Sequence, residues 1–120
     1  MLMCKVLLSI HPKHVDNILN GKKKFEFRKI RCREEVDKII LYATSPVMQI
    51  VGEADVLEIL EDSPEVIWKM TSQFAGISKP FYDIYYQGKE KAVAYRLGQV
   101  KRYQSPLQLS DFGIRTAPQS

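Results

Sequence analysis

The chain has 120 residues, 45% of them hydrophobic, and 18 Lys and Arg against 14 Asp and Glu give a formal net charge of +4. That length and apolar content suffice for one core, so a single domain over residues 1–120 is expected. The longest apolar runs, such as Ile39 to Ala43, are far too short to cross a bilayer, and the opening Met1-Leu2-Met3-Cys4-Lys5-Val6 lacks the basic-then-apolar order of a signal peptide, so no membrane partner and a cytoplasmic location are expected.

Lys5 to Ile10 sets Val6, Leu8 and Ile10 on one side and predicts a strand. Pro12 follows where a first helical residue tolerates a missing N–H. Val15, Ile18 and Leu19 then fall at i, i+3 and i+4, and Asn20-Gly21 supplies a left-handed stop. From Lys23 the period becomes two, with Phe25 and Phe27 on one face and Lys24, Glu26 and Arg28 on the other, which predicts a half-buried strand. Asp37 to Thr44 is apolar on both alternations, as in a central strand, and Thr44-Ser45-Pro46 turns it. Val47 to Leu60 reads as a long strand in which Gly52 marks a bulge. Ser63-Pro64-Glu65 opens a helix carrying Val66, Ile67, Met70 and Phe74, which Gly76 ends. A second helical piece begins near Ser78 with Phe81, Ile84 and Tyr85 pointing inward, and Gly88 closes it. Ala92 to Tyr103 returns as a strand with Gly98 inside, and the tail from Pro106 is turn-like around Leu107, Leu109 and Phe112. Strands without helical crossovers between them pair antiparallel, and glycine interruptions curve a sheet. The expected fold is therefore α/β (α+β): a small, curved, mostly antiparallel β-barrel decorated by short helices.

Gly21 to Lys29 is the densest polar segment, with a hinge, a basic cluster and one carboxylate within nine residues. On a strand, Glu26 and Arg28 share a face at about 6.5 to 7 Å spacing, so a ligand between them meets an acceptor and a planar donor fork. That suits a base edge plus a phosphate, and Lys23 reaches the same ligand from the loop side as a point charge. An ordinary amphipathic strand, with Glu26 tied to a neighbouring lysine, is the competing reading and stays open. Up to Arg33 there are nine Lys or Arg against two acids, from Glu34 to Ile67 one against nine, and from Trp68 onward eight against three. Basic ends brought together would steer an anionic partner.

His11, His14, Cys4 and Cys32 match no zinc spacing, so the histidines are expected to be structural, the cysteines reduced, and no metal or other cofactor is expected. There is no glycine-rich phosphate loop and no G-x-S-x-G elbow. Thr44 and Ser45 are candidates to donate to a ligand from their turn, and Glu53 to enter the cleft as a second carboxylate. Tyr82 and Tyr86, four apart and off the apolar stripe, are the candidates for base stacking.

The run G-x-K-x-x-E-x-R, present as Gly21, Lys23, Glu26 and Arg28, resembles the signature of ASCH domains, within the PUA-like superfamily of small RNA-associated barrels. The resemblance takes in Leu7-Leu8-Ser9-Ile10-His11-Pro12, Leu41 to Pro46, Val51-Gly52-Glu53, Ser63-Pro64-Glu65 and the closing Pro118-Gln119-Ser120. It implies a PUA-like barrel with a ligand cleft beside it, an RNA or nucleotide-like ligand, and a role in RNA-linked or transcriptional regulation. As a regulator the chain would need a separate DNA-binding partner, because no helix-turn-helix is found. Some small ASCH-like proteins resemble amidohydrolases that deacylate modified cytidine, offering a lysine and then a threonine three positions on. Here Lys23 matches but Glu26 takes the threonine position, and a carboxylate acts as a base for water rather than as a hydroxyl nucleophile. The leading expectation is thus a non-catalytic RNA- or nucleotide-binding domain. The alternative is a small hydrolase, an amidohydrolase or ribonuclease, using Lys23 and Glu26 in the same cleft. Similar chains continue past Pro-Gln-Ser, so a slight truncation at Ser120 is expected.

Overall fold

The computed structural model describes residues 5–32 and 35–113; Cys4 and the closing Pro118-Gln119-Ser120 lie outside them. In chain order the elements are β1 (Lys5–Ile10), α1 (Pro12–Leu19), β2 (Phe25–Arg28), β3 (Lys38–Ala43), β4 (Gln49–Asp62), α2 (Pro64–Thr71), α3 (Lys79–Tyr85) and β5 (Ala92–Leu107). Single 3₁₀ turns cover Ser72–Phe74 and Leu109–Phe112.

The five strands form one curled half-barrel sheet of order β1-β3-β4-β5-β2. Three of the four pairings are antiparallel, as expected, and β1 with β3 is parallel, Leu8 standing opposite Leu41. The expectation that no helical crossover separates the strands overlooked this pair. Between β1 and β3 the chain runs through α1 and β2, long enough to return to the same end of the sheet and lay the strands side by side. The same excursion sends β2 to the far edge, where Phe27 pairs with Ala94 and Glu26 with Tyr95. The curl then brings the edge strands β1 and β2 toward each other, and the Arg28 Nη1 donates across the seam to the Ser9 carbonyl at 3.4 Å.

The alternation of β5 divides the core in two. Val93, Tyr95 and Leu97 join Leu8, Ile39, Leu41 and Ala54 with the α1 residues Val15 and Ile18. Ala92 and Ala94 face the other way, onto Phe25, Phe27, Ile67, Tyr82 and Tyr86. α1 therefore covers one face of the sheet, and α2 and α3 cover the other. The α1 stripe behaves as its spacing predicts, and the helix stops at Gly21, whose φ of +83° is open to glycine without strain.

The short helices on the other face differ from expectation. Ser63 and Ser78 cap α2 and α3 by accepting from the amides of Val66 and Phe81. Of Val66, Ile67, Met70 and Phe74, only Ile67 is buried, together with Thr71 one turn on, while Val66, Met70 and Phe74 are exposed. The inward residues are Tyr82 in α3 and Tyr86 just after it, and Ile84, expected inward, is 73% exposed. The tyrosines win because their hydroxyls find carbonyls inside the fold. Tyr82 donates to the Pro64 carbonyl at 2.7 Å, and Tyr86 to that of Arg28 at 2.8 Å. Phe27 and Trp68 pack on the Tyr82 ring, with centroids 5.3 and 4.7 Å away.

The register of β4 against β5 shifts between Ile50 and Gly52, the bulge expected at that glycine. β5 runs on to Leu107, past the expected end at Tyr103, because it stays paired with β4 as far as Ile50. No helix among the described residues is long and apolar enough to cross a membrane.

Candidate functional site

A cavity of about 450 Å³ opens at the seam between β1 and β2. Its floor holds Lys23, Glu26 and Arg28, the three signature side chains, which converge although they come from a loop and from alternate strand positions. Glu26 and Arg28 share the α1 face of β2 because they are two apart, and the Arg28 Nη1 meets the Glu26 Oε2 at 3.2 Å. Lys23 precedes the strand. Its amide donates to the Asn17 carbonyl of α1 at 2.9 Å, which holds the backbone so that the side chain folds inward around the strand edge. The Nζ lies 3.8 Å from the Glu26 Oε1, donates to the Ala75 carbonyl at 3.2 Å and sits 4.6 Å from the centre of the Phe27 ring. A β-carbon on Gly76, at φ +70°, would fall 2.3 Å from the Lys23 Cβ, so the backbone of this glycine forms the wall against which the lysine packs.

The three charges are withdrawn from water: the side chains of Lys23, Glu26 and Arg28 are 2%, 7% and 13% exposed. Burial pulls the Lys23 pKa below the ordinary lysine value, and the Glu26 carboxylate opposes that pull. The strand is thus the ordinary amphipathic one of the competing reading in part, since Glu26 does pair with a lysine. That pair is buried and faces a cavity, which a solvated strand surface would not do.

Several lining residues were not singled out by the sequence. The junction of β1 and α1 contributes Ser9, Ile10, His11, Lys13 and His14, and the α3 side contributes Ile77, Phe81 and Tyr85. The histidines, expected to be structural, stand in the wall. His11 accepts from the Lys13 amide through Nδ1 at 3.1 Å, capping the helix, while the Nδ1 of His14 is buried without a hydrogen-bond partner. Burial first, then Lys23, His11 and Lys13, lower the His14 pKa from 6.5 to about 4. The available signal was positional: residues 11 and 14 are three apart at a helix start and share a face.

Other expected site residues fall elsewhere. Tyr82 and Tyr86, proposed for stacking, are core residues at 1% and 3% exposure and present no ring face to a ligand. Tyr85 lines the cavity instead, with the Lys29 Nζ 4.6 Å from its ring centre. Thr44 and Ser45 form a turn in which the Thr44 amide donates to the Ile10 carbonyl at 3.0 Å, outside the cavity wall. Glu53 lies on β4, where the Lys38 Nζ at 2.6 Å and the Tyr103 hydroxyl at 2.9 Å occupy its two oxygens. Gly21 is exposed and acts by ending α1, which sets the path of Lys23. Part of the acidic middle of the chain is spent on such pairs, with Glu58 facing Arg96 and Glu61 facing Arg31. The basic segment from Lys13 to Arg28 is what reaches the cavity.

The model of the ASCH domain matches residues 8–101, a span that contains the whole signature and the β1–α1 wall. A large ribosomal subunit protein uL22 of Ureaplasma parvum is 31% identical over 114 residues, covering 94% of this chain and 37% of its own length. An ASCH domain-containing ribonuclease of Zymomonas mobilis is 32% identical over 94 residues, covering 78% of this chain and 64% of its own length. The chain thus spans less than two thirds of each of these curated relatives. The crystal structure of ASCH from Zymomonas mobilis superposes with a TM-score of 0.86 at 28% identity, covering 95% of this chain and 82% of that one. Signature residues that meet in one cavity, the half-barrel that carries them and the match across residues 8–101 agree, and the chain belongs to the ASCH domain family.

Proposed function

We propose that the cavity between β1 and β2 binds one unpaired nucleotide of an RNA. The observation that carries this reading is the convergence of Lys23, Glu26 and Arg28 in one half-open cleft of about 450 Å³. That volume lies in the range of small-ligand pockets, about 300 to 1,000 Å³, and admits a splayed base where it would not admit a helix. Phe27, Ile77 and Tyr85 supply apolar and aromatic wall for the ring. Glu26 accepts from an exocyclic amine, and Arg28 offers its fork to a carbonyl edge or a phosphate oxygen. The solvent-side charges of Lys13 and Lys29 favour a polyanion.

The second reading is hydrolysis in the same cavity. It is supported by the ribonuclease among the similar proteins and by the buried Lys23, whose lowered pKa beside a carboxylate suits proton exchange. One experiment separates the two. Labelled single-stranded RNA is titrated with the purified chain by fluorescence anisotropy at several salt concentrations, and the RNA is then analysed for cleavage. Binding should weaken with salt. Arg28→Ala should lose about tenfold in affinity and Lys24→Ala distinctly less, because Lys24 lies over the exposed Phe74 ring outside the cavity. Equal losses would sink the pocket reading, and RNA consumption that disappears with Glu26→Gln would replace binding by hydrolysis.

A further inference from the structure

The seam cavity is not the end of the cleft. A second cavity of about 380 Å³ adjoins it, lined by Lys13, His14, Gly76, Ile77, Ser78 and Phe81. Lys13, His14, Ile77 and Phe81 line both, so these four residues stand at the junction. Each cavity has the volume of one small ligand.

The junction carries unspent polar capacity. The Nδ1 of His14 is buried there without a hydrogen-bond partner from the protein, an arrangement rare in native interiors. The His14 ring is held on one side by the edge of Phe81, at 5.3 Å between centroids, and on another by His11 at 5.8 Å. The charged and titratable groups that act on it are His11 and Lys13 from α1 and Lys23 from the loop before β2, and all three disfavour its protonation. Phe81 brings no charge from α3. Glu26 is turned to Lys23 and Arg28 on the cavity floor. Lys23 is matched by Glu26, but no ion pair among the described residues matches the exposed Lys13, and an anion seated against Lys13 and His14 would favour the imidazolium and gain a charge-assisted hydrogen bond.

Building on the RNA reading above, we propose that the two cavities take successive nucleotides of a single strand, and that the phosphodiester joining them sits against Lys13 and His14. The unit recognised is then a dinucleotide step within RNA rather than a free nucleoside, and His14 accepts protonation when the step is bound.

The test compares ribonucleosides with the corresponding ribodinucleoside monophosphates, made non-cleavable by a 2′-O-methyl group, using calorimetry on the full chain. The same titration is followed by NMR of the histidine rings. The dinucleotide should bind about tenfold tighter than the better of its nucleosides. That ratio should shrink toward one in Lys13→Gln, a solvent-exposed substitution, and in His14→Gln. With dinucleotide bound, the His14 ring should titrate near neutral pH instead of about 4. Nucleosides that bind as tightly as dinucleotides, or a ratio that survives both substitutions, would overturn this proposal and leave the single-nucleotide reading standing. A chain that binds neither nucleosides, dinucleotides nor longer RNA overturns both.

Discussion

Glu26→Gln removes the carboxylate that faces both Lys23 and Arg28 while keeping its shape, and it leaves two cations in a site almost closed to water. Breaking a buried pair from one side destabilises by about 3–5 kcal/mol, because the abandoned charge remains desolvated. Two features place this site at the low end. The Lys23 Nζ keeps the Ala75 carbonyl and the Phe27 ring face, and Arg28 keeps the Ser9 carbonyl with part of its fork in solvent. A loss of about 3 kcal/mol is a large share of the roughly 5–15 kcal/mol of a small domain and should lower the Tm by about 10 °C. Urea unfolding, read by the fluorescence of the single tryptophan, Trp68, beside Tyr82, gives the free energy directly. The pH dependence supplies a second signature. The native pKa of Lys23 lies below its ordinary value, so between the two the unfolded chain binds more protons and stability rises with pH. Without Glu26 that native pKa falls further, and the variant should recover part of its deficit as the pH rises toward the ordinary lysine value of 10.5. The double variant Lys23→Met/Glu26→Gln removes the stranded amine and should regain at least half of the loss. A single variant that costs less than about 0.5 kcal/mol, or a double variant as unstable as the two singles added, would refute the coupling of these charges.

Other substitutions test the surrounding wall. His14 has a native pKa of about 4 against 6.5 unfolded, so its contribution is fully present above pH 6.5 and is lost as pH falls toward 4; unfolding curves at pH 7 and 4.5 should show a smaller drop in His14→Gln than in the parent. Gly76→Ala adds a β-carbon 2.3 Å from the Lys23 Cβ on a backbone at positive φ, and should destabilise by about 2 kcal/mol or more while weakening RNA binding, as measured by unfolding and anisotropy on one sample. Tyr85→Ala should weaken RNA binding, whereas Tyr82→Phe, which removes a hydroxyl from the Pro64 carbonyl, should cost about 1 kcal/mol of stability and leave affinity as it was.

What could be read locally was read correctly where one short-range period dominated. Pro12, the Val15 and Ile18 spacing and Gly21 specify α1 through contacts within a few residues, and the two-residue period of Phe25 to Arg28 separates an aromatic face from a charged one whatever lies opposite. The signature was legible for the same reason, since Glu26 and Arg28 share a face in any strand. The helices on the other side of the sheet were not. In α3 the bulky residues Phe81, Tyr82, Ile84 and Tyr85 occupy several sides of the helix, so no single stripe stands out, and burial of Tyr82 over Phe81 or Ile84 was decided by the carbonyl of Pro64, eighteen residues away in sequence. The parallel pairing of β1 with β3 likewise depends on where the chain returns after α1 and β2. The amino-acid sequence by itself determined the family signature, the first helix and the polarity of β2. Only the tertiary structure, by curling the sheet until β1 and β2 meet, placed His11, Lys13, His14 and Tyr85 around that signature, because the contacts that build the cavity join segments whose separation no local period encodes.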